Sequence, residues 1–240
     1  EFRAKAFARL AKSRRSDPDN SAATVVGLEQ VRRFVNRGAL RVFAGTGAVF
    51  SPCGSFVLTW RVNEARLWDA ATGAPLAGPL YHESPVISAV FSPEGGRILT
   101  VSSKGTAQVW DVASCEIVST LPHQENPIIN AAFNPDGGRI LTVSLDGTIC
   151  LWEADTAIQI AIDFSNEGLV KSTAFSPDGG RILTTAHNSS AKLWDANTGT
   201  QMAALFHDSY VTCAVFNPDG SRIITSSSDH TARVWDAASG

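Results

Sequence analysis

The chain has 240 residues, 44% hydrophobic and 18% charged, with a formal net charge of −3. That is the mixture of a folded globular chain of one or two domains, and it excludes a collagen-like, fibrous or disordered one. No apolar run approaches the ~18 residues of a membrane-spanning helix.

Charge is uneven along the chain. Residues 1–37 carry nine Lys/Arg against four Asp/Glu, and the remaining 11 basic and 19 acidic groups follow them. The opening EFRAKAFARLAKSRR is too charged for a secretory signal, so a cytoplasmic protein is expected. Its Phe2, Ala6 and Leu10 form one stripe, which predicts a basic linker or amphipathic helix over 1–20, ended by Asp17-Pro18. Residues 21–38 read in two ways. Leu28, Val31 and Val35 share a helical face, while aligned with LTVSLDGTICLWEADTA the segment is a worn half-repeat with Phe34 in place of Trp. The chain begins at Glu1 and its only Met is Met202, which leads us to expect a piece of a longer polypeptide.

From residue 39 onward one text recurs. Trp68, Trp110, Trp152, Trp194 and Trp235 are spaced by 42, 42, 42 and 41 residues, with Trp60 outside the series. FSPEGGRILT (91–100), FNPDGGRILT (133–142), FSPDGGRILT (175–184) and FNPDGSRIIT (216–225) are near copies, and FSPCGSFVLT (50–59) is a looser fifth. Each copy predicts four short strands. In the second copy, Val86 to Phe91 is an apolar strand, and Pro93-Glu94-Gly95-Gly96 is a turn in which Pro fixes φ and Gly accepts positive φ. Arg97 to Val101 is a second strand, and a third ends at Trp110. Short strands with turn signals every 8–12 residues predict an all-β chain, and a four-stranded unit of ~42 residues predicts a propeller. The repeats run about 45–80, 82–122, 123–164, 165–206 and 207–240.

With QVWD, CLWE, KLWD, RVWD and RLWD closing the third strands, the chain resembles the WD-repeat β-propeller family over residues 39–240. The resemblance implies four-stranded antiparallel blades, five of them recognisable. It also implies a structural tetrad of His, Ser/Thr, Asp and Trp in each blade. Two copies match in full: His123, Thr142, Asp146 and Trp152, then His207, Thr225, Asp229 and Trp235. Three match in part. His82, Thr100 and Trp110 have Lys104 at the Asp position; Thr184 and Trp194 have Asn188, with Ser165 near the His position; Thr59 and Trp68 have neither His nor Asp. The last copy lacks a fourth strand, and Ala39–Ala44 (ALRVFA) is the candidate to complete it and close the ring. A ring of more blades, continued outside these residues, is the competing expectation.

The His–Thr–Asp sets superficially echo a hydrolase triad, but they repeat, whole or in part, at one register around a hydroxyl buried against Trp, whereas a nucleophile must be exposed beside its base. No enzyme activity is expected. Counting three residues back from Val86, Ile128, Val170 and Val211 gives Glu83, Glu125, Glu167 and Asp208, an acidic register. The family's geometry brings these loops beside the turns carrying Lys104, Leu145, His187 and His230, with Tyr210 and Leu145 as apolar anchors. The expected function is a non-catalytic interaction scaffold that binds a protein or peptide, and the acidic register points to a basic one. The acidic propeller argues against nucleic-acid binding by its face. The alternative is a sensor or regulatory domain of a multidomain bacterial signalling protein carrying a kinase or NTPase, with a propeller-face enzyme as the remote third.

Overall fold

A computed structural model describes residues 43–122, 126–162 and 170–239. The chain divides into two compact units, Glu1–Ile128 and Ile129–Gly240. The described residues contain strands and no helix. They form five antiparallel sheets, in the order expected of a β-propeller chain. Sheet 1 holds β1 (Gly47–Phe50), β2 (Phe56–Arg61), β3 (Glu64–Asp69) and β4 (Leu80–Tyr81); sheet 2 holds β5 (Val86–Phe91), β6 (Arg97–Ser102), β7 (Thr106–Asp111) and β8 (Ile117–Pro122). Sheet 3 holds β9 (Ile128–Phe133), β10 (Arg139–Ser144), β11 (Ile149–Glu153) and β12 (Gln159–Ile162). Sheet 4 holds β13 (Val170–Phe175), β14 (Arg181–Ala186), β15 (Ser190–Asp195) and β16 (Gln201–Phe206). Sheet 5 has three described strands, β17 (Val211–Phe216), β18 (Arg222–Ser227) and β19 (Ala232–Asp236). Of the closing strand expected at 39–44, residues 39–42 lie outside the described residues. Phe43 and Ala44 are in no strand, and the Phe43 ring lies 5.6 Å from that of Trp68.

The repeated text builds the first turn of each sheet by one device. The residue before Pro turns its side-chain oxygen back onto the chain. Ser92 Oγ accepts from Arg97 N at 2.9 Å, Asn134 Oδ1 from Arg139 N at 2.9 Å, Ser176 Oγ from Arg181 N at 2.9 Å and Asn217 Oδ1 from Arg222 N at 2.9 Å. Ser51 does the same for Phe56 N at 3.0 Å in sheet 1. Such local bonds make Ser and Asn turn formers. The Asp after Trp closes the third strand in the same spirit: Asp195 Oδ1 accepts from the amides of Asn197 and Thr198, both at 2.8 Å, and Asp111 Oδ1 from Ala113 at 3.0 Å and Ser114 at 2.7 Å. The following residue must then take a left-handed backbone. Gly73 and Gly199 do so at φ 73 and 70, but Cys115 and Ala157 are forced there at φ 57 and 54.

Within each unit the core lies between successive sheets. Within the first unit, Leu58 and Leu67 pack with Val86, Ala89, Ile98 and Trp110. Within the second, Leu141 and Leu151 pack with Val170, Ile182 and Trp194, then Leu183 and Leu193 with Val211, Ala214 and Ile223. Each sheet is therefore buried on both faces where it has neighbours, which is why its strands are continuously apolar. Trp60, outside the repeat register, stands opposite Gly47 across β1 and β2. A Cβ on Gly47 would lie 2.2 Å from the Trp60 ring. The missing side chain is what admits the indole.

Candidate surface for partner binding

Pairing places each Thr of β2, β6, β10, β14 and β18 two residues from the position opposite its Trp, so both side chains share a face. Trp Nε1–H donates to Thr Oγ1 in all five sheets: Trp68 to Thr59 at 2.9 Å, Trp110 to Thr100 at 2.8 Å, Trp152 to Thr142 at 2.8 Å, Trp194 to Thr184 at 2.9 Å and Trp235 to Thr225 at 2.8 Å.

Sheet 5 carries the longest chain. His207 Nδ1 lies 2.9 Å from Asp229 Oδ2 and its Nε2 lies 2.7 Å from Thr225 Oγ1. The carboxylate holds the ring proton on Nδ1, leaving Nε2 to accept from the Thr hydroxyl, whose oxygen accepts from Trp235. Thr231 Oγ1 donates to Asp229 Oδ1 at 2.7 Å, and the Asp208 amide to Oδ2 at 3.1 Å. These bonds, Thr231 first and His207 after it, hold the Asp229 carboxyl well below the usual carboxylate range.

Sheet 2 shows what the Lys104 replacement does. His82 Nε2 lies 2.6 Å from Thr100 Oγ1, while the exposed Lys104 occupies the position that Asp229 fills in sheet 5. Burial lowers the His82 imidazole to about 4, so it is neutral at physiological pH. In sheet 3, Asp146 is bonded by the Ser144 hydroxyl and by Thr148 N at 2.9 Å; His123 lies outside the described residues. In sheet 4, Asn188 Oδ1 accepts from Ser190 N at 3.1 Å.

These networks tie loops together at one end of each sheet. In the second unit, His207 N donates to Ser189 O at 2.8 Å and Val211 N to Asn188 O at 3.0 Å. Ser228 N donates to Tyr210 O at 2.9 Å. The turn with His187, the loop with Asp208 and Tyr210 and the turn with His230 thus form one continuous strip, with all four side chains exposed. Leu145, on the corresponding turn of sheet 3, is 57% exposed. In the first unit, His82 N reaches Asn63 O at 2.8 Å and Ser103 N reaches Pro85 O at 2.8 Å, joining the exposed Glu83 and Lys104 loops. Glu125 and Glu167 lie outside the described residues.

Sequence reasoning did not find Arg233. Its guanidinium donates to Phe206 O at 2.8 Å and Asp208 Oδ2 at 2.9 Å, and lies 3.8 Å from Asp229. Asp208 is therefore ion-paired, not a free member of an acidic register. The only signal was the Arg of RVWD, a position that varies from copy to copy. Among the described residues, no group of three or more His, Cys, Asp and Glu stands close enough to hold a metal ion. No helix among them is long and apolar enough to cross a membrane.

The family model described as WD domain, G-beta repeat, matches residues 78–111, 115–153, 161–195 and 199–236, more than half of the chain. A comparison with curated protein sequences gives no match. Among solved structures, the chain is similar to the crystal structure of the computationally designed Ika8 protein, with a TM-score of 0.66 and 22% identity over 78% of this chain. The matched region spans 57% of that protein's length.

Proposed function

Because the chain belongs to the WD40 family of G-beta repeat proteins, we propose that it is a non-catalytic scaffold that presents its loop strips to a protein or peptide. The observation that carries this reading is the strip in the second unit. His187, Asp208, Tyr210 and His230 are exposed, yet the backbone beneath them is fixed by hydrogen bonds to the buried His207 network. Exposed aromatic and polar side chains on a pre-organised backbone lose little freedom on binding. Tyr210, 59% exposed, is the anchor, and the exposed Asp208 carboxylate, paired with Arg233, is the group for which a basic peptide would compete.

A displayed random-peptide library selected on the immobilised chain tests this. Selected peptides are expected to be enriched in Lys and Arg, to associate more slowly as salt rises, and to lose binding to Tyr210→Ser while keeping it to Ile158→Ser. Ile158 is equally exposed, at 61%, but lies in the turn before β12. Peptides indifferent to Tyr210→Ser refute the strip as the binding surface.

A further inference from the structure

One third-strand position stands opposite the Trp-bonded Thr in every sheet, and it holds Arg66, Gln108, Cys150, Lys192 and Arg233 in turn. Arg233 shows what this position can reach. Its guanidinium donates to the carbonyl of Phe206 at 2.8 Å and to the carboxylate of Asp208 at 2.9 Å, the residues on either side of His207. A loop carbonyl and a loop carboxylate thus make a seat for a cation, and in sheet 5 the cation comes from the sheet itself.

Sheet 2 builds the same loop and supplies no cation to it. His82 lies 2.6 Å from Thr100 Oγ1 as His207 lies 2.7 Å from Thr225 Oγ1. His82 N donates to Asn63 O as His207 N does to Ser189 O, both at 2.8 Å. Tyr81 therefore stands for Phe206 and Glu83 for Asp208. The bond from His82 makes Glu64 and Tyr81 a non-hydrogen-bonded pair of the ladder, so the Tyr81 carbonyl faces away from β3. Glu83 is exposed and makes no ion pair among the described residues.

Gln108 holds the Arg233 position and is too short to serve this seat, because its amide ends about where an arginine stem does. Its Oε1 is buried and has no hydrogen-bond partner among the described residues. The side chain as a whole is half-buried, so turning the amide over presents that oxygen to a donor seated above it. Lys104, on the adjoining turn, is exposed and makes no ion pair among the described residues.

We propose that sheet 2 receives from a partner peptide what sheet 5 supplies to itself: an arginine side chain, whose guanidinium donates to the Glu83 carboxylate, the Tyr81 carbonyl and Gln108 Oε1. Several acceptors around one seat suit the planar fork of arginine better than the point charge of lysine. The site lies in the first unit, goes beyond the Tyr210 strip and does not depend on it.

The experiment is a titration of the ¹⁵N-labelled full chain with acetyl-Gly-Arg-Gly amide, followed by NMR at the Glu83 backbone amide and the Gln108 side-chain amide. The arginine peptide is expected to shift both resonances saturably. Its citrulline counterpart, similar in shape but neutral, is expected to bind about fivefold more weakly or worse, and Glu83→Gln is expected to cost the arginine peptide as much. Gln108→Arg seats a guanidinium on Glu83 from within, and is expected to abolish binding although Glu83 is still present. Arg66, Lys192 and Arg233 show that the position accepts a long cation, and the spectrum reports whether the variant is folded; if it is not, Glu83→Gln decides. Resonances that do not move with the arginine peptide overturn the proposal. So does a citrulline peptide that binds equally well, or a folded Gln108→Arg chain that binds as tightly as the wild type. Tyr210→Ser is expected to leave this binding unchanged, so either site can fail without the other.

Discussion

Replacing Thr100 by Val removes one hydroxyl and keeps the shape of the side chain. Thr100 is fully buried and its oxygen is shared by His82 Nε2 at 2.6 Å and Trp110 Nε1 at 2.8 Å. Both groups are buried with it. Stranding a buried donor or acceptor costs ~1–3 kcal/mol, so Thr100→Val is expected to lose about 2–4 kcal/mol. Thr59, 1% exposed, is the matched control: it takes a single bond from Trp68, whose ring is partly exposed and can find water. Thr59→Val is expected to cost about 1 kcal/mol. Thr100→Ser keeps the hydroxyl and loses only a methyl group, so it separates polar from packing effects. Urea unfolding at pH 7.5, followed by tryptophan fluorescence, measures all three. A Thr59→Val loss equal to that of Thr100→Val, or a Thr100→Ser as costly as Thr100→Val, refutes the network account.

The His82 imidazole is held down to about 4 by burial, against 6.5 ordinarily. The unfolded chain therefore binds the proton more tightly. This stability is complete above pH 6.5 and is lost as pH falls from 6.5 towards 4, by roughly 3 kcal/mol. Lys104→Asp, which places a carboxylate where sheet 5 has Asp229, is expected to stabilise the chain by about 1 kcal/mol at pH 7 and to flatten that acid-side slope; unchanged urea midpoints across pH 7 to 5 in both proteins would count against it. Ala157 sits at φ 54 where three other copies have Gly. Because a left-handed non-Gly residue costs ~1–2 kcal/mol, partly offset by the entropy of Gly, Ala157→Gly is expected to be neutral or to raise stability by up to about 1 kcal/mol, and a thermal melt lowered by several degrees would contradict it.

The strands and turns were legible because they depend on local chemistry repeated five times: apolar runs, Pro-Asx-Gly turns and a Trp at fixed spacing. The resemblance to the WD-repeat family also marked Thr100 and Thr225 as partners of Trp110 and Trp235. What comparing the copies hid was whatever differs from copy to copy. Arg233 looked like noise beside Gln108 and Lys192, because its meaning depends on Asp208, brought to it across the sheet end. The acidic register was a count along the chain, and counting cannot show that a neighbouring strand supplies a counter-ion. The strain at Cys115 and Ala157 was invisible for a related reason. AATG and ADTA look interchangeable until the fourth residue is seen to donate its amide back to the carbonyl of the residue before the turn, Gly73 N to Asp69 O and Ala157 N to Glu153 O, in a left-handed backbone.

Near-identical repeats carry a hazard during folding, since a strand from one copy can be accepted into the place of another, and such exchanges are a characteristic failure of repeat chains. FNPDGGRILT and FSPDGGRILT differ by a single residue, so local pairing alone scarcely tells β10 from β14. The Gly47–Trp60 pair breaks that degeneracy once. In the other copies the position opposite holds Ser88, Asn130, Ser172 or Cys213, and an indole brought against any of them would meet a Cβ in the space it needs. β2 is thereby barred from every first strand but its own, and β1, with no side chain at Gly47, leaves a void against any partner smaller than Trp. Two residues outside the repeat act as an address, letting a chain of interchangeable parts assemble from a defined starting sheet.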